Sequence, residues 1–430
     1  MRTIRRLVPA LVLTAVLAAG AAAEEEAKPE KKLTFSGEVG LNAYLLRGAY
    51  FGSADQPAAD GEYGWLESIA RANLSWSISD HVSLDAGVAG LFTLSADPFG
   101  LDDDGTAVVE SARLAVTDLF TPGLDVTLGR QALKIGDGFL VQDGYYDEKA
   151  DVWSIPLTFW DAARVDYRRG AFAGTALAAK LSSTYGYDGA MYGFDLAWLP
   201  GGKAADPDAA EEEPKTYVGL SGFAREDGGE ADDDARVLSL RGSVPIGPFT
   251  FAGEYALQGG RRAGVAAAGE AWHADARWDL PVARAPYLSA SFLHFSGDDP
   301  ATADDENFLW RHYSSEDWSH YYLGEVVASS LLVNTDLNVL KLEAGLELGR
   351  AVSLRLFYLD LGSDTGAYWE VPEGAGDSLA TEWDAVATWT PNDATEIWLL
   401  FGQARPGRAG EALWGPDTSN LFSAGFSWSF

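Results

Sequence analysis

Phe422-Ser-Ala-Gly-Phe-Ser-Trp-Ser-Phe430 is the last stretch of the chain. Phe422, Ala424, Phe426, Trp428 and Phe430 fall on alternate positions, with Ser423, Gly425, Ser427 and Ser429 between them. Successive side chains of a strand point to opposite faces, so this segment makes one apolar face and one small, polar face. A soluble sandwich buries such an apolar face against a second sheet, whereas a membrane barrel turns it to lipid. The rest of the chain decides between the two.

The same rhythm recurs upstream. Leu66, Ala70, Ala72, Leu74, Trp76 and Ile78 alternate with Glu67, Arg71, Asn73 and Ser75, and Phe249, Phe251, Tyr255 and Leu257 alternate with Thr250, Ala252, Glu254 and Gln258. Trp76, Trp198, Trp278, Trp389 and Trp428 sit near the ends of apolar faces, where the interfacial girdles of a barrel belong. Counting segments from Leu33 to Phe430 gives about 18 strands, an even number that returns both chain ends to one side. Turn residues at 79–81, 121–123, 169–170, 245–248, 349–350 and 391–393 predict short turns on that side. Longer polar connections at 48–64, 96–106, 136–159, 297–335, 362–379 and 404–420 fall on the other. The connection 200–214, acidic and low in complexity, is the exception, long where a short turn is due. The predicted fold class is all-β: a transmembrane antiparallel β-barrel at 33–430, with short periplasmic turns and long extracellular loops.

The other end of the chain agrees. Arg2, Arg5 and Arg6 precede an apolar run from Leu7 to Ala19, and Ala21 to Ala23 offer a cleavage site before Glu24. That is the pattern of a secretory signal peptide at 1–23, followed by a periplasmic segment at 24–32. Composition narrows the function. With 31 Lys and Arg against 64 Asp and Glu, the net charge of −33 excludes a nucleic-acid footprint. The absence of Cys excludes disulfides, thiolate metal sites and haem attachment within this chain. The combination of 47 Gly, 20 Phe, 17 Tyr and 15 Trp suits a barrel better than a pair of ordinary soluble domains.

Strand parity places a set of charges on the inner face. The expected basic track is Arg71, Arg113, Arg164, Arg241, Arg277 and Arg355, with Lys180 and Lys341 on the same face; Glu67, Asp166, Glu254, Asp275, Glu343 and Glu382 oppose it. Charges on the lipid side cost about 2 to 4 kcal/mol at mid-depth, so a wet or internally paired interior is required. Arg130 falls by simple alternation with the outward Leu124, Val126 and Leu128. A bulge at Gly129 is expected to shift the register and bring Arg130 into the lumen.

The run Val126-Thr-Leu-Gly-Arg-Gln-Ala-Leu-Lys-Ile-Gly-Asp-Gly-Phe-Leu-Val141, followed by Phe159-Trp-Asp-Ala-Ala-Arg-Val-Asp166, resembles segments of the alginate export family of outer-membrane proteins. A looser match runs from Trp318 through His320, Tyr322 and Gly324 to Leu361. The motif residues are Gly129, Arg130, Gln131, Gly136, Asp137 and Gly138. The resemblance implies an 18-stranded barrel and passive passage of an anionic polysaccharide through an Arg-rich lumen. The acids of this chain's inner face, and its acidic loops, oppose that cargo.

Other chemistry is weakly marked. His312, Glu316, Asp317 and His320 have no metal-ligand spacing, Gly136-Asp-Gly138 reads as a turn rather than a phosphate cradle, and His81, His273 and His294 lack a nucleophile pattern. No catalytic residue, metal site or cofactor is expected. The expected function is a passive outer-membrane channel for a polar or charged solute. Its expected partners are membrane lipids and lipopolysaccharide, the barrel assembly machinery, whose recognition signal the last strand resembles, and a periplasmic protein. The alternatives are a sheath around a partner such as a multihaem cytochrome and, more remotely, an outer-membrane enzyme.

Overall fold

The computed structural model describes residues 33–48, 51, 62–96, 104–142, 158–183, 188–200, 216–227, 234–262, 264–310, 323–327, 334–349 and 351–430. The expected signal peptide, the 24–32 segment, His312, Glu316, Asp317, His320 and nearly all of the acidic 200–214 connection lie outside the described residues.

Eighteen antiparallel strands form one closed barrel. They are β1 (Leu33–Arg47), β2 (Glu62–Ser79), β3 (Val82–Ala96), β4 (Asp104–Val116), β5 (Leu124–Gln131), β6 (Thr158–Arg169), β7 (Phe172–Ser183), β8 (Asp188–Trp198) and β9 (Tyr217–Asp227). The second half comprises β10 (Asp234–Ile246), β11 (Phe249–Arg262), β12 (Glu270–Asp279), β13 (Tyr287–Phe295), β14 (Leu337–Glu347), β15 (Val352–Gly362), β16 (Ser378–Asn392), β17 (Thr395–Pro406) and β18 (Ser419–Ser429). Each strand pairs with the next, and β18 returns to β1, from Ser429 opposite Glu38 to Asn420 opposite Arg47. Closure leaves neither strand with an open ladder. Just past β18, the Phe430 amide and carbonyl both bond to Gly37, at 3.0 Å each. A segment at Val265–Ala267 merely prolongs the β11 hairpin.

Connections alternate in length as the sequence predicts, defining a turn end and a loop end. Hairpins turn within two residues at 80–81, 170–171, 247–248 and 393–394. The predicted turn at 121–123 belongs to a longer connection, in which the Asp118 carboxylate accepts the Gly123 amide at 2.7 Å. The connection at 280–286 is also longer than a hairpin turn.

The outer face is apolar, with Leu74, Leu84, Phe194, Leu240, Phe251, Leu356, Phe401 and Phe426 all exposed. Trp76, Trp198, Trp278 and Trp389 stand outward at the turn end and form one girdle there. No helix of the described residues is long and apolar enough to cross a membrane, which says nothing of a barrel that crosses with strands.

The inner face departs from a uniformly polar lining. Along β14 the inward positions run from Leu337 and Val339 at the loop end to Lys341 and Glu343; along β15 they run from Arg355 near the turn end to Phe357, Leu359 and Leu361. Trp65, Trp160, Phe223, Val237 and Phe295 continue this apolar zone around the loop half. Segments of the chain itself cover it. Leu133, Phe139, Leu140, Phe308, Trp310, Leu323 and Val327 are buried against these walls, and a short helix α1 (Arg408–Trp414) packs beside them through Ala409. The strands alternate because their outer face is mainly apolar along its length. Their inner face changes character along its length because in the loop half it meets protein.

Candidate functional site in the barrel interior

Around the turn half of the inner wall runs a belt of ion pairs. Arg71 reaches Glu38 at 3.1 Å and Glu110 at 3.2 Å, and Arg113 reaches Asp85 at 3.2 Å. Arg164 lies 2.8 Å from Asp166, whose other oxygen accepts the Thr175 hydroxyl at 2.6 Å. Arg241 forks onto Asp195 through both terminal nitrogens, at 2.8 and 2.9 Å. Arg355 approaches Glu343 at 2.7 Å, and the same carboxylate accepts the Tyr287 hydroxyl. Arg277 pairs with Asp279 at 2.8 Å while its guanidinium lies 3.7 Å from the centre of the Tyr287 ring. Six of the seven expected basic residues thus sit on the inner face, each beside a carboxylate. Pairing of this kind offsets the desolvation of buried charge and leaves the belt without a run of uncompensated cations.

Arg130 is the seventh, and its expected place is overturned. Gly129 takes a φ of 114°, yet β5 and β6 stay in register, with Arg130 opposite Asp161 and Leu128 opposite Ala163. Arg130 therefore remains outward, its Nε 3.0 Å from Asp161 and a terminal nitrogen 3.3 Å from the second oxygen of that carboxylate. The irregular glycine is absorbed locally, without an extra residue in the ladder, so no bulge turns the side chain inward. Lys180 on β7, also expected on the inner face, likewise points outward, opposite Asp161 of β6.

The acids divide by role. Asp166 and Glu343 belong to the belt. Glu67 accepts the Tyr44 hydroxyl at 3.0 Å and the Trp65 indole N–H at 2.9 Å, holding a stacked aromatic pair on the wall. Glu382 accepts the backbone amides of Val326 and Val327 at 2.7 and 2.8 Å, so it anchors an inward segment. Glu254 and Asp275 converge on His273. The His273 Nδ1 lies 2.6 Å from Asp275, and Glu254 is the direct cross-strand neighbour of His273.

The motif residues build an inward loop. Gln131 donates to the carbonyls of Gly129 and Ala162, each at 3.2 Å. A two-residue ladder then pairs Lys134 with Gln142 and Ile135 with Val141, and the turn between them carries Asp137 into the interior. Gly136 has a φ of 63°, and a Cβ there would meet the Arg241 guanidinium at 2.6 Å. The loop can lie against Arg241 only with glycine at this position.

Alternation along the strands foretells neither the inward turn of Glu110, nor the meeting of Asp137 with His273, nor the contact of Trp310 with Leu140. Glu110 sits at a register shift, where Gly87 faces Ser111 but Val88 faces Val109; the extra residue turns its carboxylate to Arg71. Period-two counting contains no signal for a bulge. Asp137 and His273 are brought together by the fold, and their separation along the chain conceals it. Trp310 donates from its indole to the Leu140 carbonyl at 2.7 Å, a contact between two loops.

The chain matches no protein-family model and no curated protein. Solved structures with a similar fold include Pseudomonas aeruginosa OpdQ, at 10% identity over 93% of this chain and 99% of that one, with a TM-score of 0.56. Pseudomonas aeruginosa OpdK with vanillate is 12% identical over 92% and 98%, with a TM-score of 0.54. Acinetobacter baumannii OccAB1 is 9% identical over 92% and 96%, with a TM-score of 0.55. These neighbours are not alginate exporters, and no family match supports the alginate export resemblance of the motif. At such identities the likeness is one of architecture: a closed 18-stranded antiparallel barrel of outer-membrane porin type.

Proposed function

We propose that the chain is a passive outer-membrane channel for small polar or charged solutes, without chemistry of its own. The observation that carries this reading is the opposition of the two faces: an outer surface of exposed Leu, Phe and Trp around an inner belt of paired charges. Such a barrel is soluble in lipid and wet within. The loop half is occupied by the chain's own segments, which makes them the restricting element and disfavours a long polymer. A solute of the size of vanillate, found with the similar OpdK, fits this reading better than alginate. The belt also offers no continuous track of bare Arg, as a polyuronate would need, since Arg71, Arg113, Arg164, Arg241, Arg277 and Arg355 are each held by a carboxylate. The same filling of the interior disfavours a sheath around a cytochrome.

Single-channel recording in planar bilayers under a salt gradient tests the proposal. The expected result is a small conductance with a reversal potential on the cation side, because Glu67, Asp137, Glu254 and Asp275 add acids beyond those paired with Arg, and Arg71 is shared by two carboxylates. Folded protein that conducts nothing, or that prefers anions, overturns it. Export with a signal cleaved after Ala23, association with lipopolysaccharide, and insertion by the assembly machinery through β18 accompany the proposal. N-terminal sequencing of protein from isolated outer membranes checks the first of these.

A further inference from the structure

On the inner wall, β11 and β12 set Glu254 directly opposite His273. The loop between Gln131 and Gln142 brings Asp137 onto the same spot. All three are buried, at 5%, 3% and 7% exposure, and one ligand atom from each lies within 4.8 Å of the others. His273 Nε2 is 3.7 Å from Asp137 Oδ2, while its Nδ1 is 2.6 Å from Asp275 Oδ2. The Phe139 amide donates to Asp137 Oδ1 at 3.2 Å, and the Phe139 ring meets the imidazole edge-on with centroids 5.0 Å apart.

The charges gathered around this imidazole are mostly acidic. Asp137, Glu254 and Asp275 converge on a single imidazole; the neighbouring cations are Arg241, which both terminal nitrogens tie to Asp195, and the buried Lys341, which Glu343 and Asp275 both attract. Because Asp195 and Glu343 also draw on those two side chains, carboxylates outnumber cations here, a balance that a divalent ion improves. An imidazole held by a carboxylate at Nδ1, with Nε2 turned to oxygen donors, is how metal-binding histidines are oriented. One nitrogen and two carboxylates suit a divalent first-row ion such as Zn²⁺, while Ca²⁺ and Mg²⁺ want all-oxygen sets of six or more.

We propose that Asp137, Glu254 and His273 bind one divalent transition-metal ion, with Asp275 as the positioning residue of the imidazole, and that the ion latches the 132–142 loop to the barrel wall. Two ligands belong to the rigid wall and one to the loop, so the ion decides how firmly that loop sits. Because Leu140 in this loop accepts the Trp310 indole, the latch also steadies the second inward segment.

The test uses the full-length protein folded in detergent, stripped with a chelator and titrated with Zn²⁺ by calorimetry. Wild type is expected to take up one ion per chain. Asp137→Asn and His273→Gln should abolish that uptake, Asp275→Asn should weaken it about tenfold or more, and Arg130→Ala should bind as wild type does. Heat-dependent gel mobility reports whether each barrel is folded. If His273→Gln does not fold, Asp137→Asn, on a loop, carries the test. Wild type without Zn²⁺ uptake, or Asp137→Asn binding like wild type, overturns the site and points to a proton shared among the carboxylates. Chelator should also raise the conductance or its fluctuations in wild type, and unchanged records in Zn²⁺-binding protein overturn the latch. Calorimetry in detergent does not require conduction, so failure of the site and failure of the channel reading are told apart.

Discussion

The Trp310 indole N–H donates to the Leu140 carbonyl at 2.7 Å across 170 positions of chain. This bond joins two segments that fold into the barrel from different loops, and Trp310 is fully buried against Phe223. Replacing it with Phe keeps a ring there but leaves a buried carbonyl without its donor, at a cost of about 1–3 kcal/mol. Trp310→Phe is expected to loosen both segments and to show as faster amide exchange at Phe139 and Leu140 with noisier single-channel records. Exchange unchanged from wild type would remove this bond from the account of the restriction.

Glu382 offers a second handle on the same filling. Its two oxygens take the amides of Val326 and Val327, so Glu382→Ala strands two buried donors and is expected to release the 323–327 segment. Glu382→Gln retains one carbonyl acceptor and should fall between alanine and wild type. Hydrogen exchange at Val326 and Val327 reads the order of the three proteins, and equal protection in all three would contradict it.

The outward and inward ion pairs should respond differently to truncation. Arg130 and Asp161 lie on the outer face, where Lys180 stands opposite Asp161 and remains as a cation beside that carboxylate, so Arg130→Ala is expected to cost less than the inward change and to leave the reversal potential where it was. Arg241 is nearly inaccessible at 4% side-chain exposure, with Asp195 at 13%. Arg241→Ala leaves that carboxylate without its fork, and about 3–5 kcal/mol is the expected loss. Urea unfolding of the two variants in detergent compares them, and equal losses would sink the assignment of faces.

Replacing the bulge residue tests the belt itself. Glu110→Gln removes one of the two carboxylates that hold Arg71, leaving Glu38 at 3.1 Å. The lumen then carries one acid fewer beside a more available cation, so the reversal potential should move toward anions. A shift toward cations, or none, would place Glu110 and Arg71 away from the path of the ions.

The sequence by itself determined the strand number, the closure, the side on which both ends lie and the face of most strand residues. These follow from a period of two and from the spacing of turn residues, which are local properties of the chain. Arg71, Arg113, Arg164, Arg241, Arg277 and Arg355 were legible in this way. Only the tertiary structure decided that Glu110 turns inward, because a single extra residue in a ladder leaves no trace in composition. It alone kept Arg130 outward, since a positive φ at Gly129 can be taken up without a change of register. The apolar loop half, and the meeting of Asp137 with Glu254 and His273, came from closure of the barrel around its own loops. Which loop covers which stretch of wall depends on residues far apart in sequence, and alternation along one strand carries no information about its partner across the lumen.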